Sequence, residues 1–202
     1  LMKMKVDFIF DFASPNAYFC HRVIPEIEKR TGATFNYVPC LLGGIFKITN
    51  NQAPMMAFNG ITNKLEYQNI EIQRFIKKHN LADFTMNSFF PVMTLQLQRG
   101  AIAATSLNVF DEYLEAIFKG MWEKGLNLAD QEVLINLLTA ETQIDISDLV
   151  EKMQTQEIKD QLIQNTSNAV ERGAFGIPTF FADDEIFFGK DSLGDLEEFI
   201  TK

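Results

Sequence analysis

Apolar residues keep strand spacing only near the two ends of this chain. Between them the period is helical, and that arrangement constrains the fold more than any composition figure. In VDFIF, residues 6–10, Val6, Phe8 and Phe10 alternate with Asp7 and Ile9, so a strand with at least one buried face is expected. The following DFASPNAYF sets Ser14, a preferred N-cap, before Pro15, whose fixed φ suits the first helical position and whose missing N–H is no loss there. The helix predicted from Pro15 continues through AYFCHRVIPEIEKR, with a kink expected at Pro25 and an end at Gly32. TFNYV then reads as a second strand closed by Pro39. Strand, helix and strand joined this closely imply a right-handed βαβ unit with parallel strands.

From Lys64 to about Arg172 the pattern is helical throughout. AIAATSLNVFDEYLEAIFKGMW, residues 101–122, carries apolar residues at three- and four-residue steps and is predicted as one long amphipathic helix. Another is opened by Asp130, and a third runs from Asp148 towards Arg172, closed by Gly173. TFFA and EIFFG then flank Asp183 and Asp184 as a hairpin, and a last helix starts near Asp191 and Ser192. The expected fold class is therefore α/β, in the order βαβ, helices, ββα. Residues 1–50 and 166–202 would form one domain and residues 51–165 an all-helical insertion.

At 202 residues the chain can bury a substantial core, and 47% apolar residues with 19 Phe supply the material. The net charge of −9 is spread along it without a Lys/Arg-rich run that could neutralise phosphates, which argues against a nucleic-acid partner. No apolar run approaches the ~20 residues needed to cross a bilayer. Asp7 and Asp11 interrupt the region where a secretory leader needs an unbroken apolar core, so a cytoplasmic location is expected. Cys20 and Cys40 are far apart and form no CxxC, which fits a reducing compartment and reads as two small buried residues. His21 and His79 share no metal-ligand spacing, and no metal site is expected.

In disulfide enzymes of the thioredoxin type, the position after the first strand carries Cys-Pro-x-Cys; here those places hold Ser14 and Ala17. The element order, with Ile177-Pro178 before the third strand, resembles the thioredoxin fold (βαβ…ββα) interrupted by a large helical insertion. DFASPNAYF, LLGGIFKITNNQAP, GAFGIPTFF and FFGKDSL together resemble the 2-hydroxychromene-2-carboxylate isomerases and their relatives, the kappa-class glutathione transferases. The resemblance implies glutathione as cofactor, with Ser14 as the serine that meets its thiol. It matches Asn51 to an asparagine near that thiol or the substrate, Ile177 before a cis Pro178 to the backbone that pairs with the cysteinyl unit, and Lys190 and Asp191 to the pair holding the γ-glutamyl end. Asn16 stands where the family usually has an aromatic residue, at the substrate end of the site. The relatives commonly pair, so a homodimer is an assembly it could form.

Only a thiolate is a strong nucleophile, and a free thiol has a pKa of about 8.5. Ser14 at a helix N-terminus is placed to donate to such a sulfur, in the frame that redox relatives use for their own cysteine. By resemblance, the reaction is conjugate addition to an electron-poor double bond, rotation, and expulsion of glutathione. Donors must then face the charge that develops on the substrate, and Lys47, Asn51 and Asn87 are the candidates. The expected partner is a small electrophilic or conjugated aromatic molecule. Two other readings stay open: a kappa-type transferase or peroxidase, and a catalytically silent thioredoxin-like module that binds an extended peptide beside Pro178. Without the flanking motifs, Ser14 before Pro15 is what an ordinary helix cap looks like.

Overall fold

The computed structural model describes residues 3–202; Leu1 and Met2, where the first domain segment was expected to begin, lie outside the described residues. Strand β1 (Lys5–Phe10) leads into helix α1 (Pro15–Thr31) and strand β2 (Thr34–Pro39), which runs parallel to β1 with Val6 opposite Phe35 and Phe10 opposite Pro39. Pro25 does not end α1. Gly32 does, at φ +73, where its N–H donates to the Glu28 carbonyl at 2.8 Å.

Helices α2 (Leu42–Thr49), α3 (Pro54–Ala57), α4 (Lys64–His79), α5 (Leu95–Ser106), α6 (Phe110–Trp122), α7 (Gln131–Glu141), α8 (Ile146–Met153) and α9 (Gln156–Glu171) follow. Strands β3 (Thr179–Ala182) and β4 (Glu185–Phe188), a 3₁₀ turn at Lys190–Ser192 and helix α10 (Leu193–Ile200) complete the chain. The sheet order is β2-β1-β3-β4; β3 pairs antiparallel with both β1 and β4, and Asp183, at φ +52, turns the hairpin predicted there. The α/β class and the thioredoxin-type order with inserted helices thus stand as read from the sequence. No helix among the described residues is long and apolar enough to cross a membrane.

Two helical predictions need correction. The single helix over residues 101–122 is two, α5 and α6, because Asn108 adopts the left-handed conformation at φ +60 and turns the chain back. Gly100 permits that return: a Cβ there would overlap the Tyr113 ring, whose hydroxyl donates to the Leu97 carbonyl at 2.8 Å. The helix expected from Asp148 to Arg172 is also two, separated where the Thr155 hydroxyl caps the start of α9 by accepting from Ile158 N–H. Asp130 caps α7 as expected, accepting from Glu132 and Val133.

Aromatic residues join the layers. Phe8 stacks on Phe180 of β3 with ring centroids 5.0 Å apart, while Phe10 and Phe12 pack on Phe118 of α6 at 5.9 and 4.7 Å. All five rings are fully buried. The C-terminal end of β1, inside the sheet, is therefore packed against the inserted helices, and the loop it feeds carries Ser14.

Candidate active site

Ser14 is the N-cap of α1, with extended backbone angles (φ −95, ψ +116), and its Oγ accepts from Ala17 N–H at 3.1 Å. Its own N–H donates to the Asp11 carbonyl at 3.0 Å, which closes the loop between β1 and α1. The hydroxyl proton points at the Ile177 carbonyl across 3.5 Å, the long limit of a hydrogen bond. Only 4% of the residue is exposed. A weakly engaged donor at the positive end of a 17-residue helix is suited to favour an anion placed beside it.

The inserted helices hold this loop in place. Gln98 of α5 donates from Nε2 to the Phe10 and Cys40 carbonyls at 3.0 and 2.9 Å and accepts from Phe12 N–H at 3.1 Å. Trp122 of α6 donates from Nε1 to the Phe12 carbonyl at 2.8 Å. Thr94, just before α5, donates to the Asp11 carboxylate at 2.7 Å. None of these contacts was foreseen from the sequence. Gln98 gives no sequence signal of its own, since Gln96 and Arg99 flank it and nothing local marks it as the buried member.

Ile177 and Pro178 lie across from Ser14, joined by a cis peptide bond. The Ile177 N–H has no backbone partner among the described residues, so this stretch leaves main-chain groups able to pair with an extended ligand. Asn51 is exposed at the end of α2; its Nδ2 donates to the Phe175 carbonyl at 2.8 Å and ties α2 to the same loop. The Pro178 carbonyl accepts from Gly189 N–H at 2.9 Å, which brings Lys190 and Asp191 alongside. Hydrogen bonds to Phe175, Ile177 and Pro178, together with the short chain segments between the bonded residues, bring Ser14, Asn51, Lys190 and Asp191 to the loop before β3.

The remaining predicted residues fall differently. Asn16 sits in the first turn of α1 with a buried Oδ1 that has no hydrogen-bond partner. Lys47 is exposed on α2. Asn87 is 2% exposed and braces the loop around Trp122, with Nδ2 donating to the Met121 and Leu126 carbonyls and Oδ1 accepting from Phe89 N–H. Both its amide hydrogens are thus occupied within the protein.

Lys190 is only 4% exposed, and its ammonium donates to Glu71 of α4 at 2.6 Å and to Asp191 at 2.9 Å. Burial works against that charge, but the two carboxylates outweigh it and hold the pKa above the ordinary lysine value. Asp191 is shifted the other way: partial burial opposes its charge, yet the bond from Lys190 holds its carboxyl below the usual range. Its side chain remains 62% exposed and open to a ligand. Glu71, 39% exposed beside it, adds a carboxylate that sequence reasoning missed.

The cysteines offer no redox chemistry to this site. Both are buried and free; burial pushes the Cys20 thiol far up and the Cys40 thiol up to about 12. A cleft of about 580 Å³ opens further along α1, lined by Tyr18, Arg22, Leu81, Glu115, Lys119 and Glu123. Arg22 there is already paired with Glu115 at 2.7 Å and Glu123 at 3.2 Å.

The DSBA-like thioredoxin domain model matches residues 5–201. A 2-hydroxychromene-2-carboxylate isomerase of Sphingobium xenophagum is 25% identical over 199 residues, covering 98% of this chain and 99% of that protein. Glutathione S-transferase kappa 1 of Caenorhabditis elegans is 22% identical, covering 93% of this chain and 87% of its own length. Among solved structures, a 2-hydroxychromene-2-carboxylate isomerase superposes with a TM-score of 0.82 at 22% identity, covering 98% of this chain and 94% of its own.

Proposed function

We propose that this chain, which belongs to the DSBA-like thioredoxin domain family, is a glutathione-dependent isomerase acting on a conjugated, aromatic-derived substrate. The observation that carries the reading is Ser14: a buried hydroxyl caps α1 where redox relatives place a cysteine, with its proton only loosely held by Ile177. The isomerase relatives, matched over nearly the whole chain, support it.

The residues present fit a γ-glutamyl tripeptide. The main chain at Ile177, before the cis Pro178, can pair with its peptide backbone, and the exposed Asp191 carboxylate can take its ammonium. When bound, glutathione supplies a thiolate for reversible conjugate addition. Lowering a thiol pKa by two units takes about 2.7 kcal/mol. A helix N-terminus offers about 0.3–1 kcal/mol, up to ~2 when partly buried. A hydrogen bond to a charged acceptor adds about 1.5–3 kcal/mol, so the Ser14 hydroxyl supplies the larger share. Turning its proton from Ile177 towards the sulfur gives up only a 3.5 Å contact. At the substrate end, Lys47 on α2, Asn51 just past its end and Asn16 on α1 are the groups to orient the substrate and stabilise charge on its oxygens. Asn87 contributes to this reading by bracing the Trp122 loop.

Relatives named glutathione S-transferase kappa favour a second reading, in which glutathione is consumed. Product analysis with glutathione and a 2-hydroxychromene-2-carboxylate separates the two. The isomerase forms the isomer and leaves total glutathione unchanged, whereas a transferase leaves a conjugate and a peroxidase leaves oxidised glutathione. If calorimetry finds no binding at millimolar glutathione, both enzymatic readings fail, and the peptide-binding module becomes the better account.

A further inference from the structure

We propose that Asp11 is a positioning residue: its buried carboxylate gathers the Ser14 loop, the start of α2 and the start of α5 at one point, and so sets where the Ser14 hydroxyl lies. Its Oδ1 accepts from Ala13 N–H at 2.9 Å and from the Thr94 hydroxyl at 2.7 Å. Its Oδ2 accepts from Leu42 N–H, the first residue of α2, at 2.8 Å. Its backbone carbonyl takes Ser14 N–H. Leu41, the N-cap of α2, makes no side-chain cap bond, so Asp11 supplies the acceptor for a free N–H at that helix start, while before α5 it holds the hydroxyl of the N-cap Thr94.

The group is 1% exposed, and burial outweighs the three donors and leaves its pKa raised above the ordinary carboxylate value. Three neutral donors converging on one carboxylate favour its charged form. A charge on this carboxylate would lie in the turn that ends at Ser14, where by simple Coulomb repulsion it disfavours a neighbouring thiolate. A role in geometry and a role through charge therefore predict opposite signs, which makes them separable. Helix α2 leads to Lys47 and Asn51, so the same carboxylate sets the reacting hydroxyl and the substrate-side donors in one frame.

This inference rests on the glutathione reading for its effect on chemistry, but not for its effect on the loop. In Asp11→Asn, an amide can keep only one oxygen as acceptor, and its NH₂ would face Leu42 N–H. The thiol pKa of bound glutathione, followed by thiolate absorbance, should rise by about one unit, a ten-fold loss of thiolate preference. A fall or no change would overturn the proposal. Without glutathione, the amides of Ala13, Ala17 and Leu42 should exchange with deuterium about ten-fold faster, while the ladder between β1 and β2 keeps its protection. Unchanged exchange at Ala17, whose N–H reports the Ser14 cap, would overturn it too. If wild type binds no glutathione, the isomerase reading falls and the exchange arm alone decides. Should Asp11→Asn fail to fold, Thr94→Val removes one donor and keeps the charge: it should shift both readouts the same way, Thr94→Ser should restore them, and absence of that pattern refutes the proposal.

Discussion

Replacing Ser14 with alanine removes two things at once, and the structure allows each to be sized. The cap bond to Ala17 N–H is lost, a change that costs about 1 kcal/mol at a typical N-cap. In a chain of this length that lowers Tm by roughly 2–4 °C. The hydroxyl is also lost as a donor to a ligand sulfur, worth about 1.5–3 kcal/mol, or roughly one to two pKa units. Suppose the wild-type site holds the bound thiol near ~6.5, about two units below its free value. At pH 7 roughly three quarters of it is then thiolate, and Ser14→Ala should leave roughly 3% to a quarter. The assay is ultraviolet titration of the bound thiolate at saturating glutathione, with thermal unfolding on the same samples. A drop in Tm with an unchanged thiolate fraction would refute the reasoning, because Ser14 would then be a helix cap alone.

Gln98→Met keeps the volume but leaves Phe12 N–H and the Cys40 carbonyl buried without their partner, so urea unfolding should find the variant less stable by about 2–6 kcal/mol. Asp191→Asn should weaken glutathione binding about 10–100-fold by calorimetry through loss of a charge-assisted bond, while the thiol pKa stays at the wild-type value; equal affinity would remove Asp191 from the site. A third prediction concerns pH. A hydrogen bond from His21, reinforced by Arg22, holds the Glu115 carboxyl down to about 2. Burial lowers the His21 pKa, so at neutral pH its neutral ring donates from Nε2 to Glu115 and accepts from the Tyr37 hydroxyl at Nδ1. Because the folded pKa is depressed, the stability from Glu115 is full above its unfolded pKa of about 4.5 and is lost as pH falls towards 2. Glu115 is half exposed, so solvent screening keeps the effect to about 1 kcal/mol or less. The gap in stability between wild type and Glu115→Gln should be constant from pH 5 to 7 and close by pH 2; a gap that persists in acid would contradict the pairing.

Local chemistry carried much of this protein into view before its coordinates. Alternation in VDFIF, Ser14 ahead of Pro15, Gly32 at the end of α1, Asp130 before α7 and the turn at Asp183 each act within a few residues, so their signals are written consecutively. Even the departure from the Cys-Pro-x-Cys pattern is legible, since Ser14 and Ala17 stand in those two places. The breaks at Asn108 and Thr155 were not, because an apolar stripe at helical spacing continues across a turn when both helices face the same core.

What tertiary structure alone decided is the grip on Ser14. Thr94, Gln98 and Trp122 reach the loop after β1 from 83 to 110 residues away, and Lys190 finds Glu71 across 119. Hydrophobic period tells a helix which face to bury but not against what. The choice among partners is made by packing the whole chain, where buried polar groups must meet acceptors and donors that local sequence does not name.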